Sequence, residues 1–469
     1  MTGIKDTICQ YAWDYPVLSF ARNELRFCCR TKTSNLNQIP DKEFAKGKDI
    51  FTGYIPIIEL RKSLLKGERH ESCGSCWQME DSSGFSQRAG FKRFVSFVKK
   101  NRAWPELSKI QIEERLLNIT DDYIEDLIKI DDTRMVEIML GNTCDLKCMY
   151  CNHHYSSQWA SEKLKYKEIE IANIETELPK IKNTVYEDIW WDWFEYDAGY
   201  KTCCINFIGG EPLIMDKFYS YVKRVINFYE THDTPQRKID LSIVSNFNTP
   251  KKYYEKFLDV VINIASSEKI QLDFNVSCES IGDRAEFIRT GTDWPLMKSN
   301  IENFLKNMSQ IIDPNEPYNK SKIIFNFQIA LNALCISDLP NFFNYIIELQ
   351  RSTNMKIHLR QNQVVYPRWL NVAILPCEYS KYIDDSIDIL KSEIKNIDVD
   401  NYAEFGRWNS YIRFLETIKR SILDTDKNTN DRKEFAFQIN QLSERRNLNF
   451  YDTFPEMIDF YEECKNYDN

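Results

Sequence analysis

Glycine is scarce in this chain, 14 of 469 residues, and no Pro/Gly linker, internal repeat or low-complexity tract interrupts it. Few flexible hinges are expected. A long apolar run is missing as well. The most apolar segment, Ile323–Ile336, is broken by Asn326, Gln328 and Asn332 and falls short of the about 20 apolar residues that a bilayer crossing requires. Basic charge is not in excess: 61 Lys and Arg against 70 Asp and Glu leave a formal net charge of -9. Sequence-independent nucleic-acid binding needs a net basic face, so neither nucleic acid nor membrane is an expected partner. Met1–Gln10 has neither a basic region before an apolar stretch nor an Arg-rich, acid-poor composition, which points to the cytoplasm. The chain contains no G-x-x-x-x-G-K-S/T loop, no G-x-S-x-G elbow and no H-E-x-x-H helix, so phosphate-transfer and hydrolase readings lose their usual support.

Cysteine is what the chain has, 14 in all. In a reducing compartment disulfides bring little, and metal binding is the expected use. Cys73 and Cys76 form a close pair, and Cys144, Cys148 and Cys151 a tight triplet. Cys9, the doublet Cys28–Cys29 and the doublet Cys203–Cys204 stand apart from these. Cys278, Cys335, Cys377 and Cys464 are isolated and read as small buried apolar residues.

A length of 469 residues allows about two or three domains. Residues 1–130 mix short extended pieces with polar helices. From about 134 apolar strand-like runs alternate with helices: Met135–Leu140, Cys203–Ile208, Asp240–Val244, Gln271–Val276, Ile323–Leu331 and Lys356–Leu359. Asp216 is placed to cap a helix carrying Phe218, Tyr221, Val222, Val225, Ile226 and Tyr229 on one face. Thr249–Pro250 starts another as N-cap and N1, and Ser337 opens a third, to about Gln350. Such alternation predicts an α/β fold with a parallel sheet, a barrel or partial barrel rather than a doubly wound sheet. Reacting residues then belong at the carboxyl ends of strands. Beyond about 370 amphipathic helices follow, with Thr425–Glu434 expected as a loop. The aromatic run Trp190–Phe194 is expected to pack a helix onto the barrel.

Cys144-x3-Cys148-x2-Cys151 directly follows the first expected strand. Three thiolates on one loop can close round a metal centre. Zinc would take a fourth ligand such as His153 or His154, whereas a cubane held by three thiolates leaves one iron open; spacing alone does not choose. The string Cys144-Asp145-Leu146-Lys147-Cys148-Met149-Tyr150-Cys151, with aromatic Tyr150 before the last cysteine, resembles the cluster loop of the radical S-adenosylmethionine (radical SAM) superfamily. Gly209-Gly210-Glu211-Pro212 resembles that family's turn after the second strand, and Ser245-Asn246 stands where relatives have a Thr-Asn pair. Ser277-Cys278-Glu279 resembles the ribose-binding segment, Arg289 lies where relatives carry an arginine for the methionyl carboxylate, and Asn332 ends the fifth strand where Asn is common.

The resemblance implies a partial (β/α)6 TIM-like barrel over residues 131–368. It implies a catalytic 4Fe-4S cluster on Cys144, Cys148 and Cys151, whose open iron chelates S-adenosylmethionine. One-electron reduction would break the S–C5′ bond, and the 5′-deoxyadenosyl radical would abstract hydrogen from a substrate. Tyr150, Gly209, Gly210, Glu211, Ser245, Asn246, Ser277, Glu279 and Arg289 would surround the S-adenosylmethionine.

Cys9, then Cys28, then Cys73-Gly74-Ser75-Cys76 resembles a twitch or SPASM-like auxiliary-cluster domain, here placed before the barrel over residues 1–130. It implies an auxiliary 4Fe-4S cluster on Cys9, Cys28, Cys73 and Cys76, with Cys28 preferred to Cys29 by register. A structural zinc site is the rival. Residues 369–469 form a helical carboxy-terminal extension. Implied partners are a reducing donor such as a flavodoxin or ferredoxin and a peptide or protein substrate. A small metabolite, sugar or nucleotide substrate stays open, as does a non-enzymatic cysteine-rich metal-binding interaction module.

Overall fold

The computed structural model describes residues 7–31, 38–83, 86, 88, 109–168, 184–234, 238–313, 322–394, 402–424 and 428–466. Ten strands occur in it: β1 Pro16–Ser19, β2 Glu24–Phe27, β3 Met135–Met139, β4 Lys147–Cys148, β5 Cys204–Ile208, β6 Ile239–Ser245, β7 Ile270–Ser277, β8 Arg289–Thr290, β9 Ile323–Leu331 and β10 Ile357–Gln363. Strands β3, β5, β6, β7, β9 and β10 match the expected runs within a few residues, and all pair in parallel. The helices between them are the crossovers that parallel pairing requires.

Alternation explains the sheet. In β7, Ile270, Leu272, Phe274 and Val276 alternate with Gln271, Asp273, Asn275 and Ser277, so one face is apolar and the other polar. Register carries this across the sheet: Leu241 pairs with Leu272, and Phe274 with Phe325. The apolar face packs on the helices. Phe257 of the helix Lys251–Ser266 lies 4.8 Å from Phe274 in centroid distance, and Phe304 of the helix Trp294–Met308 lies 5.2 Å from it. The opposite face is not the layered aliphatic filling usual inside a barrel. It carries Glu137, Asn206, Ser242, Asp273, Asn275 and Asn326, several of which hydrogen-bond to one another. Tyr15 Oη and Asn206 Nδ2 donate to Glu137 at 2.8 and 3.0 Å, and Asn326 Nδ2 and Arg360 Nη2 donate to Asp273 at 2.7 and 2.5 Å.

The sheet is longer than the sequence pattern foretold, with eight strands in the order β10-β9-β7-β6-β5-β3-β1-β2. The added pair comes from the amino-terminal region: β1 runs parallel to β3, and β2 returns antiparallel at the edge. Both are four residues long and buried throughout; β1 shows no alternation, and the alternation of β2, Glu24-Leu25-Arg26-Phe27, is too short to stand out. Just past β2, Arg30 Nη2 reaches Asn362 Oδ1 of β10 at 3.5 Å. The sheet therefore curls until one side chain bridges its two edges.

Helix starts differ in detail from expectation. Met215, not Asp216, is the N-cap of the helix Asp216–Thr231, and Asp216 sits in its first turn, where a carboxylate favours the helix dipole. Pro250, not Thr249, caps the helix Lys251–Ser266. A short 3-10 turn, Ile336–Asp338, precedes the helix Leu339–Thr353. Most of the stretch expected as a loop from Thr425 is helical: Asn428 caps the helix Thr429–Arg446 by accepting from the amides of Asn430 and Asp431. Capping there outweighs polar composition; residues 425–427 lie outside the described residues. The helix Thr184–Tyr196 packs Trp190 and Trp193 on Phe51, with Trp193 stacked at 4.1 Å.

Two apolar cores result. The larger joins the sheet, its helices and the carboxy-terminal helices. The smaller lies among Ile8, Trp13, Leu60, Leu64, Trp77, Ile112 and Ile128. Arg61, fully buried beside it, donates to the carbonyls of Ala12 at 2.8 Å and Ile128 at 2.6 Å. Among the described residues, no helix is long and apolar enough to cross a membrane.

Phe274 is buried and contacts the rings of Phe247, Phe257, Phe304 and Phe325. Phe274→Ala is expected to destabilise the chain by about 3–5 kcal/mol, read as a lower urea midpoint by circular dichroism; an unchanged midpoint would contradict this packing.

Candidate active site at the strand ends

The segment from Leu140 to Ser157 leaves β3 with almost no regular structure, so its backbone groups need partners elsewhere. Glu211 N donates to Thr143 O at 2.7 Å, Ser157 N to Asn142 O at 2.7 Å, and Trp159 Nε1 to Cys148 O at 2.8 Å. Ser157 Oγ accepts from Cys144 N at 3.2 Å, and Ser156 Oγ donates to Leu146 O at 2.6 Å. Cys148 itself lies in β4, which pairs antiparallel with β8 so that Cys148 stands opposite Arg289. Burial raises the thiol of Cys151 to about 12, and the neighbouring Cys148 adds to this. Burial also raises Cys144 and Cys148; Cys148 adds to the first shift, and Arg289 opposes the second. Cys148 is buried and Cys144 and Cys151 are half-buried, so all three thiols hold their protons in the metal-free chain.

Beyond β5, Gly209 and Gly210 adopt φ of +82° and +57°. A Cβ at Gly209 would meet Met139 Cγ at 2.0 Å, and one at Gly210 would meet Thr143 O at 2.3 Å. No other residue fits this turn against the cysteine loop. Glu211 follows, buried. Its Oε1 accepts from Ser245 Oγ at 2.8 Å and Leu213 N at 3.0 Å, and its Oε2 from Asn246 N at 2.6 Å. A carboxylate has about four acceptor positions, so the chain itself uses most of them. Burial, and secondly Asp145, raises Glu211 to about 7.

Asp145 lies inside the cysteine motif and had no assigned role in the sequence reading. It accepts from Asn246 Nδ2 at 2.7 Å and Asn248 Nδ2 at 3.0 Å. Asn248 Oδ1 in turn accepts from Asp293 N at 2.9 Å. Buried Phe247, at φ +54°, makes the turn between Asn246 and Asn248.

At the end of β7 a second buried group forms. Tyr150 Oη donates to Glu279 Oε1 at 3.0 Å, Arg289 Nη1 donates to Tyr150 Oη, and Arg289 and Glu279 form an ion pair at 3.6 Å. Among the described residues, Glu279 Oε2 and Arg289 Nε are buried without a hydrogen-bond partner. Each such atom costs about 1–3 kcal/mol unless something fills it. An acceptor for Arg289, such as a carboxylate, and a donor for Glu279, such as a hydroxyl, would do so. Ser277 closes β7 beside Gln328 of β9. Asn332 is used within its own turn, Oδ1 accepting from Leu334 N at 3.0 Å.

The expected residues thus meet at one end of the sheet. Thr143, Glu211, Ser245, Asn246 and Asp145 form one network; Cys148, Arg289, Glu279 and Tyr150 form the other. Ser277 is half-buried and joined to neither by a described side-chain hydrogen bond.

Cys9, Cys28, Cys73 and Cys76 line a separate small cavity, together with Arg30 and Arg88. Burial raises Cys73 to about 12, with Cys9 and Cys76 adding to it. Cys28 holds φ +140°, a strained backbone for a residue with a Cβ. Cys29 is not among the lining residues; it neighbours Tyr15 and Glu137, and its thiol is lowered first by a hydrogen bond with Cys28. All fourteen cysteines are free thiols. Among the described residues, no group of three or more His, Cys, Asp or Glu side chains gathers as one metal ion requires.

No family model matches this chain, and no curated protein does. Crystal structures of Streptococcus suis SuiB are similar to it. The one bound to S-adenosylmethionine has 15% identity and a TM-score of 0.35, covering 71% of this chain and 63% of SuiB. Another, of SuiB, has 15% identity and a TM-score of 0.34, covering 71% and 62%. The third, bound to precursor peptide SuiA, has 13% identity and a TM-score of 0.25, covering 65% and 66%. In each case the chain spans slightly under two thirds of SuiB, and scores this low carry no weight for fold or activity.

Glu211 supplies a pH prediction for the metal-free protein. Its folded value, about 7, lies above the ordinary 4.5, so the folded chain binds its proton more tightly. The stabilisation is complete below about 4.5 and is lost as pH rises to about 7, at up to about 1.4 kcal/mol per pH unit. Glu211→Gln should remove this slope; urea titrations of the two proteins at pH 5 and 8 that run parallel would refute it.

Proposed function

We propose that this chain is a radical SAM enzyme with a partial (β/α)6 barrel. Cys144, Cys148 and Cys151 hold a 4Fe-4S cluster, and S-adenosylmethionine binds beside it. When bound, that pair supplies reductive cleavage of the S–C5′ bond and a 5′-deoxyadenosyl radical able to take hydrogen from a substrate. The observation that carries the reading is the union of the cysteine loop, through buried Cys148, with the Tyr150–Glu279–Arg289 group by way of the β4–β8 pair. The open valences of Arg289 and Glu279 suit a methionyl carboxylate and ribose hydroxyls.

The chain's own residues bind and orient. Arg289 takes the carboxylate, Glu279 and Ser277 the sugar, and Tyr150 holds both charged groups in place. Gly209 and Gly210 bring backbone close to the ligand, while Glu211, Ser245 and Asn246 hold the strand ends apart at fixed spacing. The thiols lining the second cavity, Cys9, Cys28, Cys73 and Cys76, take an auxiliary 4Fe-4S cluster in a twitch or SPASM-like region over residues 1–130. Its four thiolates leave no open iron, so it relays electrons or supports structure. The proposed substrate is a peptide or protein, the proposed donor a flavodoxin or ferredoxin, and the setting the cytoplasm, where these thiols stay reduced.

After anaerobic reconstitution and dithionite reduction, the protein is expected to convert S-adenosylmethionine to 5′-deoxyadenosine, and Cys148→Ala to make none above background. Equal yields from both would overturn the reading, as would zinc in place of iron at the triplet. A Cys73→Ala, Cys76→Ala double variant should lose roughly four iron atoms per chain and keep the S-adenosylmethionine-responsive signal; loss of zinc instead would make the second site structural.

A further inference from the structure

The last residue of the helix Thr429–Arg446 lies far along the chain from the cysteine loop yet is built into it. The Arg446 side chain is 0% exposed. Its Nη1 donates to Lys147 O at 2.8 Å and to Thr290 Oγ1 at 3.2 Å. Those two residues are partners in the β4–β8 ladder, so one nitrogen holds both strands. The remaining edge of the guanidinium takes Glu162, with Nε 3.1 Å from Oε2 and Nη2 2.9 Å from Oε1. Its plane lies over Trp159 at 4.4 Å, and the Trp159 indole donates to Cys148 O. A buried charge needs this full set of partners, and only a planar fork can serve a carboxylate, a carbonyl and a hydroxyl together.

The chain after Arg446 supports the other strand. Phe450 and Phe454 pack on Phe287, with ring centroids 6.0 and 5.0 Å away, and Glu456 pairs with Arg284 at 2.9 Å. Phe287 and Arg284 belong to the helix Gly282–Ile288, which delivers Arg289.

We propose that Arg446 is a positioning residue: by clamping Lys147 to Thr290 it sets where the Cys148 sulfur and the Arg289 guanidinium stand relative to each other. The carboxy-terminal helices thereby belong to the site and are not only an outer cover. The inference about Cys148 needs the structure alone; its extension to S-adenosylmethionine rests on the function proposed above.

The test uses the full chain carrying Arg446→Lys, which keeps the charge and loses the fork, and Thr290→Val, which removes one arm. In metal-free protein, alkylation of Cys148 followed by mass spectrometry is expected to run about tenfold faster in Arg446→Lys, as loss of one charge-assisted hydrogen bond implies. Buried Cys335 should react at the wild-type rate, whereas general loosening would expose both. In reconstituted, reduced protein, the S-adenosylmethionine concentration that half-changes the electron paramagnetic resonance signal should rise about tenfold, with a smaller rise for Thr290→Val. Should Arg446→Lys fail to fold, Thr290→Val decides alone. Wild-type alkylation rates in the variants overturn the clamp. A wild-type protein without any S-adenosylmethionine-responsive signal overturns the proposed function instead, and leaves the alkylation result to judge the clamp.

Discussion

Asn246 makes the contact on which the site's shape depends. Its backbone amide donates to Glu211 and its side-chain amide to Asp145. Two carboxylates, the buried Glu211 after β5 and the half-buried Asp145 inside the cysteine loop, are thereby held by a single residue at the end of β6. Glu211 has no water to fall back on, so losing its donors would leave charge in a low-dielectric interior. A loop with little regular structure of its own thus acquires a fixed place against three strands.

The same economy of polar pairing runs through the sheet. A parallel sheet covered by helices usually buries apolar residues on both faces. Here one face of the strands is aliphatic and aromatic, and the other carries carboxylates and amides that hold one another, as Asp273 does Asn326 and Arg360. The bridge from Arg30 to Asn362 joins the edges across this polar face. Cys29 borders this face, while Cys28 turns to the separate cysteine-lined cavity. Neighbours in sequence therefore serve different surroundings, a distinction that spacing by itself does not make.

Legibility followed the range of the interactions. The parallel strands were readable because alternation of the kind seen from Ile270 to Ser277 is a local signal of a half-polar sheet. The cysteine loop was readable by its short spacing, whereas the Gly209–Gly210 turn and Arg289 were readable only through resemblance to a family pattern at the ends of those strands. The strand Pro16–Ser19 gave no such signal, and in Glu24–Phe27 four residues are too few for alternation to stand out. Asp145 and Asn248 looked like ordinary polar loop residues until their partners were brought near. The start of the helix at Thr429 depended on one capping amide, Asn428, amid a stretch whose polarity suggested a loop.

Periodicity and composition, both local properties, determined by themselves that this chain forms a parallel α/β sheet with a helical carboxy-terminal region and gathers cysteines after its first long strand. Tertiary structure alone decided that the amino-terminal hairpin extends that sheet; the choice of Cys28 over Cys29, which family register had only favoured, agrees with Cys28 lining the second cavity. Tertiary structure also decided that Arg446 closes on Lys147 and Thr290. The physical reason is that a buried charge or amide is stable only with its full set of partners. Those partners come from segments up to 299 residues apart, a relation that no local pattern encodes.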